Sequence, residues 1–139
     1  MKALLDTNVI SETRRADLDP RILGNMVAFG LHDAYISVIT LGELIDGVRR
    51  LPTGARRNEL EAWVNGIQTV YSARILPVDI EIARLWGDLS ARCRAIGRPL
   101  AAPDGLIAAT ALRHGLHLMT RNTSDFYGTD VLLINPWDE

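Results

Sequence analysis

The 139-residue chain has one cysteine, Cys93. A disulfide framework is therefore excluded, and a reducing compartment is expected. Lysine is nearly absent as well. Lys2 is the only one, and every other basic residue is an arginine, the side chain better suited to phosphate and carboxylate forks. An excess of charge is also missing: Lys+Arg 15 against Asp+Glu 17 leaves −2, so the chain as a whole is not a polycation. No apolar run approaches the roughly 18–20 residues of a membrane span. Asp6 stands where a signal peptide would need its apolar centre. No membrane association and a cytoplasmic address are expected. Repeats, low-complexity tracts and linkers are lacking too, which points to one domain spanning residues 1–139.

What is present is an alternation of short apolar runs with amphipathic stretches. Residues 2–5 read as a buried strand, and a short helix follows from Thr7 to about Arg15. Pro20 opens a second helix. Tyr35 to Ile39 is a strand by its β-branched and aromatic content. Thr40 and Glu43 have the spacing of a capping box, with an amphipathic helix after them. A break at Pro52-Thr-Gly54 leads to a further helix from Asn58 to about Ala73, and the two helices are expected to form a hairpin. Ile75 to Val78 is a short strand whose Pro77 argues for an edge. Asp79 caps a regular helix with Ile82, Leu85, Trp86, Leu89, Cys93 and Ile96 on one face, stopped by Gly97 and Pro99. Pro103 begins the next helix and Gly115 ends it. His117 to Met119 is a strand, Asn122 to Asp125 a turn, and Val131 to Ile134 the last strand. Strands alternating with helices predict an α/β fold with a mostly parallel sheet.

Four acids sit where strands of such a sheet give way to helices or turns: Asp6, Glu43, Asp104 and Asp125. Each has an ordinary explanation. Asp6 caps a helix, Glu43 completes the capping box, Asp104 suits a helix dipole, and Asp125 is a solvated turn residue. As a group they read differently, because strand ends that feed helices share one edge of a parallel sheet, where ligands of α/β proteins bind. Leu5, Ile39, Leu106 and Ile107 adjoin the acids. Unpaired carboxylates in a partly buried site repel one another, and no lysine is near to neutralise them. A divalent cation resolves this, and all-oxygen ligation suits magnesium or manganese. Zinc is not expected, since Cys93, His32, His114 and His117 have no ligand spacing. Metal-activated water attacking a phosphodiester is nuclease chemistry. Arg14, Arg15, Arg49, Arg50, Arg56, Arg57 and Arg121 are candidates for drawing in a nucleic acid, or form a solvated face.

The stretches Leu4–Glu12, Ser37–Glu43, Ala101–Thr110, Thr120–Phe126 and Asn135–Trp137, in this order across the chain, resemble PIN-domain ribonucleases. Among these the VapC-type toxins of toxin–antitoxin pairs are most similar, and within them the FitB-like subgroup. The resemblance implies a PIN-like three-layer α/β fold, with a central mostly parallel sheet flanked by helices. It implies a magnesium-dependent endoribonuclease, with manganese as an alternative. Asp6, Glu43 and Asp104 fall on the family's three acidic positions. Asp6 and Asp104 would be direct metal ligands, and Glu43 a ligand or a base that orients water. Asn122 and Asp125 compete for a fourth polar position. Thr7, Asn8 and Thr120 would hold the acids by hydrogen bonds, and Thr7 would take over the helix cap from Asp6. The resemblance further implies a homodimer and a cognate VapB/FitA-type antitoxin, with operator DNA contacted only through the antitoxin. Three other readings compete. A receiver-type signalling domain needs a lysine late in the sheet, which is missing. An aspartate-nucleophile phosphatase needs Asp where Asn8 stands. A catalytically silent PIN fold would have no reason to keep Asp6, Glu43 and Asp104 together.

Overall fold

The computed structural model describes residues 2–138. Its strands are short. β1 (Ala3–Leu5) pairs in parallel with β4 (His117–Met119), which pairs in parallel with β5 (Leu133–Ile134). β2 (Ile36–Ser37) pairs in parallel with β3 (Ile75–Leu76). The two ladders are joined through Tyr35, whose N–H donates to the Ala3 carbonyl at 2.9 Å and whose carbonyl accepts from the Leu5 N–H at 2.9 Å. The strand order is therefore β3-β2-β1-β4-β5, with the opening strand in the middle and all pairings parallel. As Pro77 predicts, β3 lies at an edge.

Alternation along the strands divides the core in two. Ala3, Leu5 and Met119 pack with Val9, Ile10, Met26, Leu44 and Val64. These come from α1 (Thr7–Thr13), α2 (Pro20–Ala28), α3 (Val38–Arg49) and α4 (Ala55–Tyr71). Leu4 and Leu118 pack the other way, with Ile82, Leu89, Ile107 and Ala111 of α5 (Ile80–Ala95) and α6 (Ala102–His114). Helices thus cover both faces, the three-layer arrangement read from the sequence. The residues next to the sheet are near-continuously apolar, as strands covered on both sides require. No helix among the described residues is long and apolar enough to cross a membrane.

Two junctions differ from the sequence reading, and both matter for the acids. The expected strand over residues 35–39 is only Ile36–Ser37, and α3 begins at Val38. Its cap is Ser37, whose Oγ accepts the Ile39 N–H at 3.0 Å. Thr40 lies inside the helix, fully buried, so no capping box joins it to Glu43. Ile39 and Tyr35 both pack into the core behind the sheet, and that burial outweighs the strand preference of Val38 and Ile39. At α1 the cap remains Asp6, whose Oδ1 accepts the Thr7 N–H at 2.8 Å. Thr7 is the first helical residue and its hydroxyl is spent elsewhere. The expected hairpin does form: α3 and α4 pack together, and Arg49 of one reaches Glu61 of the other at 3.2 Å.

Candidate active site

Asp6 stands at the C-terminal end of the central strand, 6% exposed. A buried carboxylate must have its lone pairs satisfied. Oδ1 takes the Thr7 N–H, and Oδ2 accepts from the Thr120 hydroxyl at 2.8 Å and from Asn8 Nδ2 at 3.2 Å. Thr120 follows β4, the neighbouring strand, and is fully buried. Its oxygen also accepts the Asn122 N–H at 3.0 Å and Asn8 Nδ2 at 3.3 Å. Asn8 Oδ1 in turn accepts the Arg121 N–H at 3.2 Å. The loop after β4 is therefore stitched to the turn after β1 through three polar side chains.

Glu43 lies in the second turn of α3, half-buried, and Oε1 accepts the Thr7 hydroxyl at 2.6 Å. Asp104 lies in the first turn of α6 and Asp125 in a 3-10 turn, Thr123–Phe126. The four acids feel one another. Burial, and then the charges of Asp6, Asp125 and Glu43, push the Asp104 carboxyl from 3.8 up to about 6. Burial also raises Asp6, against the hydrogen bonds from Thr120, Thr7 and Asn8, with the charge of Asp125 adding to the rise. Asn122 is exposed, and its place in the network is held by its backbone N–H.

Two clefts open onto different members of this group. One, about 390 Å³, is lined by Thr7, Glu43, Arg14, Arg56 and Trp63 among others. The second, about 310 Å³, is lined by Asp104, Asp125, Arg98, Ser124 and Tyr127 among others. Among the described residues, no three His, Cys, Asp or Glu side chains are gathered into a ready ligand set. The acids lie on an open face shared by two clefts, the first with Arg14 and Arg56 beside Glu43 and the second with Arg98 beside Asp104 and Asp125, rather than in a closed cage. That fits magnesium, which keeps several waters and is held by one or two carboxylates.

Residues 3–132 match the PIN domain. The chain belongs to the PIN-domain family. Toxin FitB of Neisseria gonorrhoeae is 39% identical, over 98% of this chain and 99% of that protein. The VapC ribonuclease Y4jK of Sinorhizobium fredii is 38% identical, over 97% of each. The crystal structure of FitAcB from Neisseria gonorrhoeae superposes with a TM-score of 0.89 at 38% identity, covering 99% of both chains. FitAB bound to an IR36 DNA fragment superposes with 0.88 at the same identity, covering 97% of this chain and 95% of that one.

The PIN fold thus brings Asp6, Glu43, Asp104 and Asp125 within electrostatic reach, and ties Thr7, Asn8 and Thr120 to the first two by hydrogen bonds. The arginine candidates divide. Arg15 pairs with Glu12 and Asp17, Arg50 with Asp46, and Arg49 and Arg57 with Glu61. Among the described residues, Arg14, Arg56 and Arg121 pair with no carboxylate. Arg14 lies 5.9 Å from the Trp63 ring centroid and Arg121 5.0 Å from that of Trp137. Arg98 was not among the candidates, although its place directly after the helix-ending Gly97 was legible.

Gly105, beside Asp104, has a packing role. A Cβ there would stand 2.6 Å from Cδ1 and 2.8 Å from Nε1 of Trp86 on α5. The indole occupies the space a side chain would need, and so fixes how closely the start of α6 approaches α5. Gly105→Ala is expected to destabilise the fold by about 1–3 kcal/mol through overpacking. Urea denaturation checks this, and an unchanged midpoint would show that the indole moves aside freely.

Proposed function

We propose that this chain is a single PIN domain acting as the ribonuclease toxin of a toxin–antitoxin pair, cleaving RNA phosphodiesters with magnesium, or manganese in its place. The observation that carries the reading is the mutual charge repulsion of Asp6, Glu43, Asp104 and Asp125. Burial first, and then this repulsion, pushes the Asp104 carboxyl up to about 6. Asp6 and Asp104 would hold the metal, which when bound would supply a water of lowered pKa and offset charge on the phosphate. Glu43 keeps Oε1 on the Thr7 hydroxyl, which leaves its other oxygen to act as a metal ligand or to orient the attacking water and take its proton. Thr120 and Asn8 hold Asp6 in one orientation. Asp125, at the margin of the second cleft, supplies the fourth acid, while Asn122 contributes its backbone to the loop. Arg14, Arg56 and Arg121 take the phosphates on either side.

The relatives support the remaining assignments. The similar structures are named as FitAB and VapBC complexes, some with DNA. We assign a cognate VapB/FitA-type antitoxin as partner, a homodimer as the assembly, operator DNA contact through the antitoxin alone, and action in the cytoplasm. Purified chain incubated with end-labelled RNA is expected to cleave it in magnesium and not in EDTA. Co-purified antitoxin is expected to suppress the cleavage. RNA that stays intact in both magnesium and manganese overturns the assignment.

A further inference from the structure

We infer that Arg98 and Tyr127 form a nucleotide subsite beside the acids, stacking one base of single-stranded RNA and holding its phosphate. This rests on the ribonuclease reading and extends it to a binding site. Three observations carry it. First, the two residues share the 310 Å³ cleft with Asp104 and Asp125, so a strand that reaches these acids through that cleft passes them. Second, Arg98 is not engaged in neutralising those acids. Among the described residues it makes no ion pair, and its guanidinium sits 5.8 Å from the Tyr127 ring centroid. Third, Tyr127 is 51% exposed, so it is not kept for the core.

The backbone on both sides is fixed in advance. α5 ends in a turn where Gly97 has φ +75° and the Arg98 N–H donates to the Cys93 carbonyl at 2.8 Å, the six-to-one bond of a Schellman motif. The Tyr127 N–H donates to the Ser124 carbonyl at 3.3 Å, closing the 3-10 turn that carries Asp125. Gly128, at φ +102°, brings the two together. A Cβ there would meet Ile96 Cδ1 at 3.2 Å and Arg98 Cδ at 3.9 Å, so the loop lies directly on the end of α5. A base stacked on an aromatic ring is bound whatever its identity, since every base has a π-face. A planar guanidinium suits phosphate and stacks as well. The same turn therefore supplies an acid to the reaction and a ring to the neighbouring nucleotide.

The test uses the full chain and a fluorescent single-stranded RNA, with anisotropy in EDTA for binding and cleavage in magnesium for KM and kcat. Tyr127→Ala is expected to weaken binding and raise KM by about tenfold with kcat little changed. Tyr127→Phe is expected to stay within about twofold of wild type, because it keeps the ring. Arg98→Ala is expected to lower the salt dependence of binding by about one phosphate contact. An oligonucleotide made abasic at the position that stacks is expected to lose the same tenfold, and Tyr127→Ala then to cost nothing further; a purely structural tyrosine would not give that pattern. If wild type cleaves RNA but both alanine variants bind it within twofold, the subsite is wrong and the ribonuclease reading stands. If those variants instead weaken only the antitoxin complex, the face belongs to the protein partner and the subsite is again overturned. If wild type cleaves no RNA, both readings fall together.

Discussion

Asp104→Asn is expected to lower RNA cleavage by about a thousandfold, the scale of losing a charged group that acts in the reaction. At the same time it should leave the metal-free protein at least as stable as wild type. The two effects share one cause. The folded chain holds the Asp104 proton to about pH 6, well above the ordinary 3.8, because burial and three neighbouring acids disfavour its charge. The native state therefore binds this proton more tightly than the unfolded chain does. In that window the unfolded chain has released a proton the folded chain keeps, so stability falls as pH rises from about 4 to about 6 and stays reduced above. Asp6, also raised, acts in the same direction. Asparagine carries no charge and removes the Asp104 part of this slope. On the proposed function, magnesium binds the ionised acids and so reverses the sense of the effect. It is expected to raise the melting temperature of wild type more at pH 7.5 than at pH 5, and to do little for Asp104→Asn. Thermal melts at both pH values, with EDTA or magnesium, check this. A variant that cleaves within tenfold of wild type, or a magnesium shift equal at both pH values, would sink it.

Thr120→Val removes one oxygen that makes three hydrogen bonds. The Thr120 hydroxyl donates to Asp6 and accepts from the Asn122 backbone and Asn8 Nδ2, all in a fully buried position, and it lowers the Asp6 carboxyl's pKa. Valine fills the space but leaves the Asn122 N–H without its acceptor and Asp6 Oδ2 with Asn8 alone. Leaving such groups unsatisfied costs about 1–3 kcal/mol of stability. Loosening a residue that orients a metal ligand costs about 10–100-fold in metal affinity or activity. The acid limb of the pH–rate profile is expected to move to higher pH, because the lost hydrogen bond had been lowering Asp6. Thr120→Ser keeps the oxygen and should stay close to wild type. If valine reduces stability but leaves the pH profile where it was, Thr120 supports the fold without tuning Asp6.

The acids were legible because the elements carrying them have strong local punctuation. An apolar strand runs into Asp6, and Pro103 announces the helix of Asp104. Gly97 and Pro99 mark the end of α5 in the same way. The two junctions misread in the sequence share a feature: two capping residues lie close together and tertiary contacts choose between them. Ser37 and Thr40 are both good caps, and burial of Ile39 selects Ser37. Asp6 and Thr7 are both good caps, and the bond to Glu43 takes the Thr7 hydroxyl away. The arginines show the same limit. Asp46–Arg50 and Arg57–Glu61 have helical spacing that can be read directly, but Arg49–Glu61 exists only because the hairpin folds. Arg98 could not be singled out, because its companion Tyr127 reaches it from a distant loop.

The central place of β1 sets when the acids can meet. Its partners are Tyr35 on one side and residues 117–119 on the other, both later in the chain. Asp6 waits for a hydroxyl 114 positions away. Such non-local pairing gives the chain a high contact order, and loops of that length must close before the contacts return any stability. While it is being synthesised, the chain holds Asp6 and Glu43 but lacks Thr120 and Asp125. A chain that stops short of β4 therefore has Asp6 without the hydroxyl that holds it, so the acid site proposed here can be complete only once β4 lies beside β1.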